Sequence, residues 1–167
     1  NVNVNEAYTH AGDVTVVANS GAGKIYGDSI LTATSSALTL QGDLIGNDAS
    51  ATGALGVSST SLNINAGNAG NGLVKVTSGA AIRLDSLATT GSGAVAITTT
   101  SGDLVVGDGA NNAISNNGTG ALTLTSAANV NVNEAYTHAG DVTVVANSGA
   151  GKIYGDSILT ATSSALT

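Results

Sequence analysis

Residues 129 to 167 repeat residues 1 to 39 letter for letter: the string NVNVNEAYTHAGDVTVVANSGAGKIYGDSILTATSSALT occurs twice, at a period of 129 − 1 = 128. Chance does not produce identity over that length. A fixed-period repeat marks architectures in which units stack on one another and share one continuous core, namely solenoids and arrays. The chain therefore reads as a single continuous segment, 1–167, in which 1–128 is one full period and 129–167 begins the next identical copy. It starts and stops in mid-pattern, as a slice of a longer protein would, and any export signal is expected outside it.

A finer rhythm runs inside the period. A small or polar residue, an aliphatic, a polar or small residue and an aliphatic recur as Asp13-Val-Thr-Val16, Ala37-Leu-Thr-Leu40, Ser61-Leu-Asn-Ile64, Leu73-Val-Lys-Val76, Ala94-Val-Ala-Ile97, Ala121-Leu-Thr-Leu124 and Asp141-Val-Thr-Val144. Alternation at period two is the mark of a half-buried strand, so Val14 and Val16 and their counterparts face a core while Thr15, Thr39 and Thr123 face away. The turns between these anchor strands are rich in Gly, Asn, Asp and Ser. No i, i+3, i+4 apolar pattern persists, and β-branched residues and Gly dominate, which excludes helix. The fold class is all-β, a parallel β-helix or β-solenoid.

Counted at the first aliphatic, the anchors stand at 14, 38, 62, 74, 95, 122 and 142, with spacings of 24, 24, 12, 21, 27 and 20. Most of these are the length of one coil of two or three short strands. The spacing of 12 is too short, and Leu62 to Ile64 reads as a second-face strand within a longer coil. That gives about five coils per period, with six as the alternative, and an axial length of roughly 24–29 Å per period at ~4.8 Å between strands. A second register supports coil-level repetition: Ile25 to Leu40 aligns without a gap on Ile82 to Ile97 at an offset of 57, matching Ile25 to Ile82, Asp28 to Asp85, Ser29 to Ser86 and Leu38 to Val95.

Composition excludes several function classes. Hydrophobic residues make up 42% but aromatics only 2%, the four tyrosines, with no Phe, Trp, Pro, Met or Cys. Globular cores of this size normally bury several aromatics; Val, Leu, Ile and Ala instead suit a thin core between stacked strands. Acids outnumber bases 11 to 4, and Lys24, Lys75, Arg83 and Lys152 are scattered, which disfavours nucleic acid as a partner. No apolar run approaches the roughly 18 residues that would cross a bilayer as a helix.

The anchors GDVTV, SALTL, GAVAI and GALTL, separated by Gly-, Asn- and Ser-rich turns in a chain poor in charge, resemble filamentous haemagglutinin-like exoproteins of the two-partner secretion class. The resemblance implies a right-handed coil, export to the outside or surface of a bacterium, and a role in adhesion, aggregation or matrix building. It carries no catalytic motif onto this chain.

Residues that could carry chemistry are few. Asp43, Asn47 with Asp48, Asp103 and Asp108 stand beside Gly at coil corners, where calcium finds oxygen ligands, but Asp and Asn beside Gly are also the ordinary residues of tight turns. Arg83 and Asp85 are the candidates for a groove of the polysaccharide-lyase kind, and equally a surface ion pair. Tyr8 and His10, with their copies Tyr136 and His138, read as an exposed face or a contact between laterally packed fibres. The alternating Asn1, Asn3, Asn5 and Asn129, Asn131, Asn133 invite an asparagine ladder. Threonines lie at irregular offsets along the chain and suggest no array with one Thr per coil. Asn117-Gly-Thr119 is a glycan acceptor sequon in form and a turn by composition. No catalytic, cofactor-binding or metal site is expected, and no cofactor beyond calcium at the acidic turns. The expected function is mechanical: a stiff extracellular filament or matrix fibre whose partner is itself, through end-to-end repetition and lateral bundling, with the stalk of an adhesin that meets host or neighbouring-cell glycans as the alternative.

Overall fold

A computed structural model describes the chain except residues 20–21, 47–52, 68–71, 111–113, 148–149 and 163–164. The regular structure among the described residues is twenty short strands, and every ladder between them is parallel. Parallel pairing between strands only 20–30 residues apart requires the chain to circle back to the same face on each pass, which is a solenoid.

The first coil comprises β1 (Val2–Asn3), β2 (Tyr8–His10) and β3 (Val14–Val17); the second β4 (Lys24–Tyr26), β5 (Ile30–Ala33) and β6 (Ala37–Gly42); the third β7 (Leu44–Ile45), β8 (Leu55–Ser58) and β9 (Ser61–Ala66). The fourth has only two strands, β10 (Val74–Ser78) and the long β11 (Ile82–Thr89). Three-stranded coils resume with β12 (Val95–Thr99), β13 (Leu104–Val106) and β14 (Ile114–Asn116), then β15 (Leu122–Ser126), β16 (Val130–Val132) and β17 (Tyr136–His138), and finally β18 (Val142–Ala146), β19 (Ile153–Tyr154) and β20 (Leu159–Ala161). Val2, Ile25, Ile45, Val74, Val95, Leu122 and Val142 occupy successive rungs of one ladder, so the chain makes about six turns.

The two-stranded fourth coil corrects the reading of the 12-residue spacing. Ser61–Ala66 is not a subordinate strand: it stacks in register on β6, Leu62 on Leu38 and Ile64 on Leu40, as the third rung of the first anchor column. What changes at Val74 is the side of the solenoid. β3, β6 and β9 lie in the sheet β19-β16-β13-β11-β9-β6-β3, whereas β10, β12, β15 and β18 lie in the other long sheet. β10 bridges the change, with Val74 paired to Ile45 of β7 and Val76 to Ser78 paired to Leu55 to Val57 of β8, so one anchor strand covers two short ones. On the opposite side, β11 lies on β9, and its first residues, Ile82 to Leu84, carry β13. The 12-residue spacing is therefore half of an ordinary 24-residue coil.

This fixes the pitch of the long repeat. Val14, Leu38, Leu62, Leu84, Val106 and Val132 are successive rungs, five steps in all, and the copy of Val14 is Val142, half a turn further on and in the opposite sheet. One 128-residue period is thus about five and a half turns, between the two counts the sequence suggests.

Inward positions are filled by Ile25, Ile45, Leu38, Leu40, Leu62, Leu84, Leu104, Leu122 and Leu124, all fully enclosed in one continuous cluster. Each such side chain contributes about 1.5–3 kcal/mol of burial, and the regular aliphatic stack explains why so few aromatics are needed.

The two identical segments make the same local contacts. Val2 pairs with Ile25 and Val130 with Ile153; Tyr8 with Leu31 and Tyr136 with Leu159; Val14 with Leu38 and Val142 with Leu166. Gly27 and Gly155 share φ values of 146° and 145°, where a Cβ would strike the carbonyl oxygen of Val4 or Val132. What differs is cover. Tyr136 is 0% exposed and Tyr8 51%; Ile25 is 0% exposed and Ile153 55%. Tyr136 has a coil on both sides, whereas Tyr8 and Ile153 belong to the outermost rungs.

Candidate functional site

Among the described residues, a group of hydrogen-bonded polar side chains lies inside the solenoid, along the corner formed by β11, β14 and β17. Asn116 Oδ1 accepts three hydrogen bonds, from the Thr89 backbone N–H at 2.8 Å, the Thr89 hydroxyl at 2.7 Å and the Gly118 N–H at 3.1 Å. Three donors around one oxygen fix the orientation of the amide. Its Nδ2 then points along the axis, donating to the Tyr136 hydroxyl at 3.4 Å and lying 3.1 Å from His138 Nδ1. His138 Nε2 sits 2.7 Å from the Gly120 carbonyl oxygen. A carbonyl only accepts, so Nε2 carries the hydrogen and Nδ1 accepts from Asn116; the imidazole is neutral in this arrangement.

Thr89, Asn116, Tyr136 and His138 are all at most 2% exposed, and the Tyr136 and His138 rings stack with centroids 6.4 Å apart. Burial pushes the Tyr136 phenol well above the ordinary tyrosine range, partly offset by the hydrogen bond from Asn116. The exposed face expected for Tyr and His is therefore corrected: Tyr8 and His10 are exposed, but their copies form an internal polar seam between coils. The seam's chemistry is structural, since it joins three rungs and leaves neither ring accessible.

Arg83 and Asp85 stand two apart on the outer side of β11 and form the expected ion pair, with Arg83 Nη2 3.0 Å from Asp85 Oδ2 and a second bond from Nε. The Asp85 hydrogen bond holds the guanidinium pKa up, against a smaller desolvation effect. Arg83 borders a shallow groove with Thr60, Ala81, Ile82 and Val105, and Asp108 and Glu134 act on Arg83 only through their charge. Asp108 itself is held below the usual carboxylate range, first by the Ala110 N–H at 2.7 Å and then by hydrogen bonding to Glu134.

Three further acidic corners, Asp13, Asp103 and Asp141, are engaged in coil-to-coil hydrogen bonds. Asp103 Oδ1 accepts the backbone and side-chain N–H groups of Asn129, and Asn129 Oδ1 accepts the Lys152 N–H. Asp13 and its copy Asp141 accept the N–H of Ala37 and of Ala165, each at 3.0 Å. Asn47 and Asp48 lie outside the described residues. Among the described residues no three His, Cys, Asp or Glu side chains converge as a metal would require, and no helix is long and apolar enough to cross a membrane.

Two outer features also differ from expectation. Asn3 pairs with Tyr26, and Asn131 with Val105 and Tyr154, so these asparagines do not stack on one another. The threonines, irregular along the chain, are regular in space: Thr77, Thr98 and Thr125 fall in one column, Thr123 on Thr143, and Thr15 on Thr39. Asn117 and Thr119 of the sequon are exposed.

The Asn116 seam was missed because its members are 20 to 27 residues apart; comparing residues one coil apart, Thr89 with Asn116 and Asn116 with His138, is the signal that finds it. No protein-family model, no curated protein and no solved structure matches this chain.

Proposed function

We propose that the chain is the structural repeat of a long, stiff filament or matrix fibre outside a bacterial cell, built of stacked β-coils and with no catalytic role. The observation that carries this reading is the equivalence of the two copies. The segment 129–167 repeats the inter-coil pairings of 1–39 and is received on its inner side by the preceding coils of the same ladder. A segment that docks on the period before it, while offering the next coil the same pairings as its first copy, supports extension by whole periods. The bacterial, exported setting and the right-handed coil rest on the resemblance of GDVTV, SALTL, GAVAI and GALTL to filamentous haemagglutinin-like exoproteins.

The test is the length of tandem proteins of one, two and four periods. At about five and a half rungs per period and ~4.8 Å per rung, each period adds roughly 26 Å to a rod of constant width, visible by electron microscopy and small-angle scattering. Globules whose width grows with the number of periods overturn the reading. An adhesin stalk is the second reading, favoured by the exposed sequon and hydroxyl columns; a distinct terminal domain that binds glycans while the solenoid alone does not would decide for it.

A further inference from the structure

Charge is segregated on this rod. Among the described acids only Asp85 lies within a strand, and it is paired with Arg83; the others occupy turns at the corners. The outward positions of the anchor strands are correspondingly almost free of charge. On one side they run Thr15, Thr39, Asn63 and Ser86, beside Val17, Gln41, Asn65 and Ala88, with the mutually neutralising pair of Arg83 and Asp85 at the start of β11. On the other they run Ala96, Thr123 and Thr143, beside Thr77, Thr98, Thr125 and Val145, with Lys75 the one charged residue.

A chain with formal net charge −7 repels its own copies wherever corners meet. The anchor faces are where two copies approach without bringing like charges together, and their threonine methyls with the outward Val17 and its half-buried copy Val145 supply apolar surface. The half-turn slip then decides the geometry: the anchor columns leave one side at β9 and continue on the other at β10, so every period carries such a face on each of two opposite sides.

We infer that these rods associate side by side with second copies of the same chain through the anchor faces, and that the product is a flat sheet of parallel or antiparallel rods. Two opposite contact faces per rod extend in a plane, whereas a single face closes as a pair and three faces build a bundle. The inference rests on the filament reading above and adds its partner.

The full chain tests it, alone and as tandem periods. Wild-type rods at high concentration are expected to form sheets one rod thick by electron microscopy and to sediment. The variant Thr39→Asp with Thr123→Asp, one charge per face, is expected to keep its β circular dichroism and its rod shape while the sedimenting fraction at low salt falls about tenfold. Association returns in ~1 M salt, where the screening length drops to about 3 Å, which separates repulsion at the face from misfolding. Wild-type rods that remain single at every concentration, closed bundles in place of sheets, or sheets unchanged in the variant overturn the inference while leaving the filament reading intact. Compact globules overturn the filament reading itself.

Discussion

The same letter costs different amounts in the two copies, and this comparison isolates what a neighbouring coil contributes. Tyr136→Ala removes a fully enclosed ring and is expected to cost about 3–5 kcal/mol, whereas Tyr8→Ala, in an identical stretch but half exposed, costs about 1 kcal/mol or less; chemical denaturation of the two variants measures the gap. Asn116→Ala strands the Thr89 and Gly118 N–H groups and His138 Nδ1 and is expected to cost about 3 kcal/mol, against less than ~0.5 for exposed Asn117→Ala. The phenol of Tyr136 also sets an alkaline limit. Its folded-state pKa is raised, so the unfolded chain loses that proton first, from about pH 10. The contribution is complete below that point and is lost as pH climbs further. Unfolding midpoints between pH 8 and 11 should fall in the wild type, and Tyr136→Phe should flatten that slope. Such residue roles are barely legible in a linear sequence. Tyr136 and His138 look like exposed polar residues because their partner, Asn116, is one coil away, and burial in a solenoid depends on what the previous coil presents.

Strands were legible wherever side chains alternate. Anchors such as Leu38 with Leu40 and Val95 with Ile97 announce themselves, because a buried face and an open face at period two leave a pattern that no turn or helix imitates. Short strands such as β7 and β14, two and three residues long, leave none. The side on which an anchor sits is also invisible within the strand itself, since Leu62 and Val74 head similar motifs in opposite sheets. It is encoded in the spacing between them, and assigning the second face to Leu62 to Ile64, when it is Val74 that changes side, hid the slip. Between elements, the acidic turns act as clasps. Asp141→Ala leaves the Ala165 N–H without its acceptor and is expected to cost about 1 kcal/mol, as is Asp13→Ala at the equivalent clasp, each measured by denaturant titration against Asp156→Ala, an exposed acid.

For the molecule as a whole, stability is distributed along one dimension. Each coil touches the coils before and after it, so tandem proteins should gain in unfolding midpoint from one to two periods and then level off, as nearest-neighbour stacking dictates; a thermal melt of the series checks this. The half-turn slip at β9 and β10 has a further consequence for a gene made of identical blocks. Recombination between two copies removes or adds 128 residues and leaves every rung matched to its neighbour, because the junction it creates is one the rod already contains. The excised block nevertheless takes five and a half turns with it. Everything beyond the cut is therefore swung to the opposite side of the axis, and an odd or even number of blocks decides which way the far end of the molecule points.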